Sequence, residues 1–333
     1  MIDIDGLKIE ESFPAFISPL NPQATIHHAI AFLRERKKEL GALLLKHGAV
    51  VFRNFPVQNA ADFASFISAL ELGDFVNYIG GDSPRDKVED KVYTSTEASP
   101  KFLIPLHQEL SFIKNFPKHI YFYCATPPQV GGSTTIGDAR IVYRAIAPEV
   151  RERFETKKLI YTSNYYHRSA VMELLNRFQR SHKSWCEVFE TNDKQVVEKE
   201  CVANEFEWCW HARDWLQIRQ KRPAVLKHPH TQEDVWFNQA HLYDFNPKLL
   251  GWKNYVAAKL FYFRRSTLLH EISFADKSHV PRDDLYHILN VLKDNTVAFA
   301  WRQNDVMVLD NILTMHGRAP FAGPRKILAA MTS

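Results

Sequence analysis

Val306-Met307-Val308-Leu309-Asp310-Asn311-Ile312-Leu313-Thr314-Met315-His316-Gly317-Arg318 is the stretch on which the fold turns. Residues 306–310 form an apolar run of strand length, and residues 313–317 resume it after a short turn. Just upstream, residues 296–301 alternate, and Arg302-Gln303-Asn304-Asp305 is a polar turn. Just downstream, residues 325–331 read as a last strand. Short strands with turns about every eight to twelve residues point to a sandwich or barrel.

Working back towards the N-terminus, the same signals recur. Residues 104–112 and the aromatic residues 119–125 read as strands. Thr126-Pro127-Pro128-Gln129-Val130-Gly131-Gly132 is a turn, and residues 133–136 resume a strand. Asp138 is placed to cap a helix running to about residue 154. Residues 25–46 and 59–72 carry helical periodicity, with Gly48 closing the first and Asn59 capping the second. Between them residues 49–53 form a buried strand. Residues 1–23 read as turn-rich, and 73–100 as loop around Gly80-Gly81-Asp82-Ser83-Pro84. The middle mixes strands at 159–162 and 234–240 with helices at 168–179 and 193–201. Residues 249–272 combine helical and aromatic character, and Pro281 opens a helix to residue 292. The expectation is one α+β domain over residues 1–333. Residues 155–240 and 241–292 would be an insertion or lid and helical decoration within it.

Bulk properties narrow the function. Hydrophobic residues make up 45% of the 333, enough for a sizeable core. The net charge of +4 comes without a long Lys/Arg block, which argues against nucleic acid as a partner and suits a pocket for a small anion. The four cysteines, Cys124, Cys186, Cys201 and Cys209, form no C-x-x-C pair, so zinc-ribbon and thioredoxin chemistry are not indicated. Unpaired thiols and an acidic Met1-Ile2-Asp3-Ile4-Asp5 start fit a reducing, cytoplasmic protein. No apolar run approaches the ~20 residues a membrane helix needs.

The chemistry begins at Leu106-His107-Gln108-Glu109-Leu110. On a strand, residues two apart face one side, so His107 and Glu109 would share a space. An imidazole and a carboxylate are suitable ligands for a divalent transition metal. With His316 as a third ligand they make a one-sided set that leaves the opposite positions open, the geometry of non-haem Fe(II) oxygenases. Nine residues after His316, Arg325 could clamp a dicarboxylate through its guanidinium, and the Gly131-Gly132-Ser133-Thr134 turn would offer a hydroxyl to the same group.

Leu106-His107-Gln108-Glu109, Gly131-Gly132-Ser133-Thr134 and His316-Gly317-Arg318 followed by Arg325 resemble the taurine dioxygenase (TauD/TfdA) family of Fe(II)/2-oxoglutarate-dependent dioxygenases. Within it the chain is most similar to the syringomycin-biosynthesis (SyrP-like) branch, through residues 184–189, 235–241 and 305–311. The resemblance implies a double-stranded β-helix (jelly-roll) core of the clavaminate synthase-like kind, with flanking helices and a middle insertion. It implies iron held by His107, Glu109 and His316, and 2-oxoglutarate with its distal carboxylate on Thr134 and Arg325, Arg318 being the rival arginine. It further implies dioxygen as co-substrate and hydroxylation of an unactivated C–H. The substrate would be a small molecule of amino-acid type, free or tethered to a carrier protein, in natural-product metabolism. Glu109 stands where many members carry Asp; a carboxylate there argues against the related halogenases.

Asn238, Gln239 and His241 are candidates for touching the substrate, against an interior hydrogen-bond network. Cys209-Trp210-His211 reads as a buried thiol beside a capping histidine. Two other functions fit part of the pattern. A His/Glu/His set also describes a zinc hydrolase, although the H-E-x-x-H helix is missing and Thr134 and Arg325 would have no role. A non-catalytic member binding a small acid is the other.

Overall fold

The computed structural model describes residues 2–4, 7–19, 25–76, 87–89, 91–95, 99–167, 184–244, 246–261 and 268–333. The helix expected at 168–179 and the glycine-rich centre of the 73–100 loop lie outside them.

Two sheets carry the architecture. The larger has nine strands, with Ala49–Phe52, Val306–Asp310, His119–Thr126 and Lys326–Thr332 as successive neighbours at its centre. These strands are near-continuously apolar because both faces of the sheet are covered. Side chains alternate across the plane. Val51, Ile120, Phe122, Met307, Leu309, Ile327 and Ala329 join one buried cluster. Val50, Phe52, Tyr121, Tyr123, Val306, Val308, Leu328 and Ala330 join the other. The second cluster is sealed by the amphipathic helices Ile26–Glu35 and Ala60–Leu70, which bury Leu33, Phe63, Phe66 and Ile67. Each such side chain is worth about 1.5–3 kcal/mol on burial.

The smaller sheet runs Val297–Phe299, Thr134–Asp138, Thr314–Arg318, Ile104–His107, all antiparallel. It faces the large sheet, and Phe122 of the latter lies 5.3 Å from the His316 ring. A third, four-stranded sheet combines Glu207–His211, Trp215–Arg222, Leu159–Tyr165 and His270–Phe274. Among the described residues, no helix is long and apolar enough to cross a membrane.

The helix caps are as expected. Asn59 Oδ1 accepts from the Asp62 amide at 2.9 Å, Asp138 Oδ1 accepts from the Arg140 amide at 2.8 Å, and Gly48 has φ 71°. Several boundaries differ. The 25–46 helix is two helices, Ile26–Glu35 and Lys37–His47, meeting at Arg36. The helix after Asp138 breaks at Ile146-Ala147, where Pro148 starts a new one. The turn-rich N-terminus contributes Ile2–Ile4, Leu7–Glu10 and Ala15–Pro19 to the large sheet, the last parallel to Ala49–Phe52. Its prolines point to turns, yet Pro14 and Pro19 flank and end the strand Ala15–Pro19. The strand expected over 104–112 ends at His107, with consequences for the site.

Candidate active site

His316 occupies the strand Thr314–Arg318, between Thr134–Asp138 and Ile104–His107. Register pairs it with Ile136 on one side and His107 on the other, while Arg318 pairs with Thr134. His316 and Arg318 are two apart and share a face. Three strands thus place His107, His316, Thr134 and Arg318 on one wall.

The His107 strand is bulged. His316 pairs with His107 and Arg318 with Ile104, so two steps on one strand match three on the other. Pro105, which has no N–H to give the ladder, sits in the bulge. Gly317 lies opposite, where a Cβ would come within 2.4 Å of the Ile104 carbonyl oxygen. The bulge re-aims His107. Its Nδ1–H donates to the Pro105 carbonyl at 2.9 Å, which leaves Nε2 as the lone-pair nitrogen.

Glu109 reaches the same space by another route than strand parity. Beyond His107 the chain turns, and Leu110 takes a left-handed φ of 53°. The Glu109 amide donates to Asn311 Oδ1 at 2.9 Å, and Asn311 Nδ2 donates back to the Glu109 carbonyl at 2.9 Å. The potential ligand atoms of His107, Glu109 and His316 all lie within 4.8 Å of one another, the one such cluster found among the described residues. The two imidazole rings have centroids 4.5 Å apart, and His316 Nε2 is 3.6 Å from Glu109 Oε2.

These residues fit a divalent metal. Burial pushes the His107 imidazole down to about 3, and the neighbouring His316 adds to this against the opposing pull of Glu109. A neutral imidazole is the ligand form. His316 Nδ1 is buried and has no hydrogen-bond partner among the described residues. Two imidazoles and one carboxylate give the oxygen and nitrogen donors of an open facial site.

A cleft runs from the cluster towards Arg325. It is lined by His107, His316, Thr134, Ser95, Arg318 and Arg325, with Ile104, Phe122 and Ile327 as apolar walls. Arg325 Nε donates to the Gly132 carbonyl at 3.1 Å and Nη1 to Ser95 Oγ at 3.3 Å. Gly132, just after the short strand Val130–Gly131, takes a left-handed φ of 69°. Burial, and then the charge of Arg318, push the Arg325 guanidinium down to about 10. No carboxylate among the described residues pairs with Arg325, so this guanidinium is suited to receive an anion. Thr134 Oγ1 accepts from Trp301 Nε1 at 2.9 Å, which keeps its own proton for a ligand in the cleft. Arg318 Nη2 donates to the carbonyls of Ser99 and Phe102.

Asn238, Gln239 and His241 are buried and do not line this cleft. Gln239 Nε2 donates to the Gln108 carbonyl, His241 Nε2 meets the Leu106 carbonyl at 2.9 Å, and Asn238 Nδ2 donates to the Ala224 carbonyl. Two of the three therefore support the backbone on which His107 and Glu109 stand. Cys209 is exposed, on the Glu207–His211 strand, rather than buried. Asn311 was missed in the sequence. Its signal was an amide stranded between two apolar strands, where a buried polar group needs partners.

The sequence profile of the taurine catabolism dioxygenase TauD, TfdA family matches residues 16–332. The chain belongs to this family. It is 29% identical over 328 residues to a clavaminate synthase-like protein of Arabidopsis thaliana, covering 96% of this chain and 93% of that protein. It is 30% identical over 289 residues to the dapdiamide synthesis protein DdaC of Enterobacter agglomerans, covering 87% and 83%. Among solved structures, PvcB of Pseudomonas aeruginosa superposes with a TM-score of 0.55 at 13% identity, covering 99% of this chain and 92% of that one. PvcB is described as an Fe, alpha-ketoglutarate dependent oxygenase from an isonitrile synthetic pathway. At that identity the likeness is one of fold. The TauD/TfdA chain described here thus has the mixed helix and sheet architecture of that family's dioxygenases.

Proposed function

We propose that this TauD/TfdA chain is an Fe(II)- and 2-oxoglutarate-dependent dioxygenase that hydroxylates an unactivated C–H of an amino-acid-like molecule. The observation that carries the reading is the convergence of His107, Glu109 and His316 beside a cleft that ends at Arg325. In it, His107 Nε2, a Glu109 carboxylate oxygen and one nitrogen of His316 hold the metal. Arg325 and the Thr134 hydroxyl receive the distal carboxylate of 2-oxoglutarate, and Arg318 adds positive charge while fixing the backbone at Ser99 and Phe102. Bound there, iron supplies the activation of dioxygen that couples decarboxylation of the keto acid to oxidation of the substrate. The protein's part is to orient the ligands, neutralise the dicarboxylate and exclude water with Ile104, Phe122 and Ile327.

The same reading takes the two facing sheets as a double-stranded β-helix and the chain as one domain. One buried cluster runs from Ala49 to Met331 and includes Tyr161, Trp185 and Leu285, which supports treating 155–240 and 241–292 as insertions on a shared core. The likeness to DdaC and PvcB supports a setting in natural-product synthesis. The SyrP-like features of residues 305–311 support an amino-acid substrate, free or on a carrier protein.

The test is a succinate-coupled screen of amino acids and their carrier-bound forms with Fe(II), 2-oxoglutarate and oxygen, read by product mass. Gain of one oxygen atom by an amino-acid substrate supports the reading. Succinate formation with no member of the panel, alongside tight 2-oxoglutarate binding, would point instead to a non-catalytic binding protein.

A further inference from the structure

Asn311 is fully buried, and every polar atom of its side chain is spent on backbone. Its Oδ1 accepts from the Glu109 amide at 2.9 Å. Its Nδ2 donates to the Glu109 carbonyl at 2.9 Å and to the Pro117 carbonyl at 2.8 Å. Its own amide donates to the Lys118 carbonyl at 2.8 Å. One carboxamide therefore closes the loop between Glu109 and Pro117 at both ends. It also sits five residues before His316, at the turn between Val306–Asp310 and Thr314–Arg318.

The turn is itself fixed. Asp310 Oδ1 accepts from the amides of Ile312 and Leu313 at 2.9 and 3.0 Å. Glu109 has lost the strand ladder, which ends at His107, and the residue after it is left-handed. Asn311 thus meets a buried N–H and two buried carbonyls, and removing its carboxamide would take those three bonds away.

We propose that Asn311 is the positioning residue for Glu109: it sets the carboxylate relative to His316 by holding the Glu109 backbone to the turn that precedes the second histidine. This rests on the reading of His107, Glu109 and His316 as metal ligands. Outer partners of ligands typically govern about 10- to 100-fold in metal affinity.

The experiment titrates the metal-free protein with Co(II) and follows the visible absorption of the bound ion. The proteins are wild type, Glu109→Ala, Asn311→Ala, Asn311→Asp, and each Asn311 variant combined with Glu109→Ala. Asn246→Ala is the control: a fully buried amide that caps Leu249 and donates to the Asp244 carbonyl, remote from the cluster in its bonding. The expected result is a loss of Co(II) affinity of about 10- to 100-fold for Asn311→Ala, and wild-type affinity for Asn246→Ala even where its melting temperature falls. In the Glu109→Ala background the Asn311 change should cost nothing further, because its effect passes through Glu109. Asn311→Asp has the same size, keeps the acceptor and turns an oxygen on the two carbonyls, so it should lose affinity too; it carries the test if the alanine variant does not fold. Wild-type affinity in a folded Asn311 variant, or an equal loss in both backgrounds, overturns the proposal. If wild type binds no Co(II), or Glu109→Ala binds as tightly as wild type, the metal-site reading itself is overturned.

Discussion

His107 and His316 are register partners on adjacent antiparallel strands, with ring centroids 4.5 Å apart and planes inclined by 44°. The pairing brings together residues more than two hundred positions apart in sequence, and a single bulge at Pro105 sets its geometry. Gly317, opposite that bulge, is the residue that lets the two strands close.

Gly317→Ala should therefore cost about 1–3 kcal/mol, because its Cβ would meet the Ile104 carbonyl oxygen at 2.4 Å and Thr135 Oγ1 at 2.7 Å. The backbone contact cannot rotate away, so the His107 strand must move. Urea denaturation of the metal-free protein measures this. A change below about 0.5 kcal/mol, the range of an ordinary surface substitution, would count against the close approach.

Arg325 faces the cleft with no acidic partner among the described residues. Arg325→Gln should raise the KM for 2-oxoglutarate about 10- to 100-fold, as expected for losing a charged hydrogen-bonding contact of about 1.5–3 kcal/mol. The saturated rate should change far less. Steady-state kinetics at varied 2-oxoglutarate decides between this and Arg318. If Arg318→Gln shows the KM effect and Arg325→Gln does not, the roles are reversed.

Burial pushes the His241 imidazole down to about 4, and its bond to the Leu106 carbonyl offsets this only in part. The unfolded chain takes up a proton near 6.5, so between about pH 6.5 and 4 it binds more protons than the native state. Stability is then full above pH 6.5 and falls with pH down to about 4, at up to ~1.4 kcal/mol per pH unit for this one group. Chemical denaturation at pH 7.5, 6 and 5 should show the fall, and His241→Gln should make it shallower. An unchanged slope in the variant would mean His241 is protonated in the native protein.

Much of this was legible because burial leaves a pattern. Residues 306–310 and 119–125 are apolar on both parities, which only a strand covered on both faces requires, and both proved central. His316 could be placed from its short strand and the glycine after it. Glu109 does lie beside His107, but not through strand parity. The H-x-E spacing suggested strand parity, whereas the ladder stops at His107 and Asn311 supplies the geometry. Asn238, Gln239 and His241 show a different limit. A polar side chain can face a ligand or a carbonyl equally well, and only the chain path shows that Gln239 and His241 hold the backbone at Gln108 and Leu106. The N-terminal strands were not legible because prolines signal turns as readily as the ends of strands, and Pro14 and Pro19 bound Ala15–Pro19.

The most direct measurement is succinate formation from 2-oxoglutarate with Fe(II), ascorbate and oxygen, in wild type and in His107→Ala, Glu109→Ala and His316→Ala. Wild type should form succinate, and each variant should fall to the level without protein while keeping its fold by circular dichroism. Succinate formed at the wild-type rate by any of the three would contradict the assignment of that residue as a ligand.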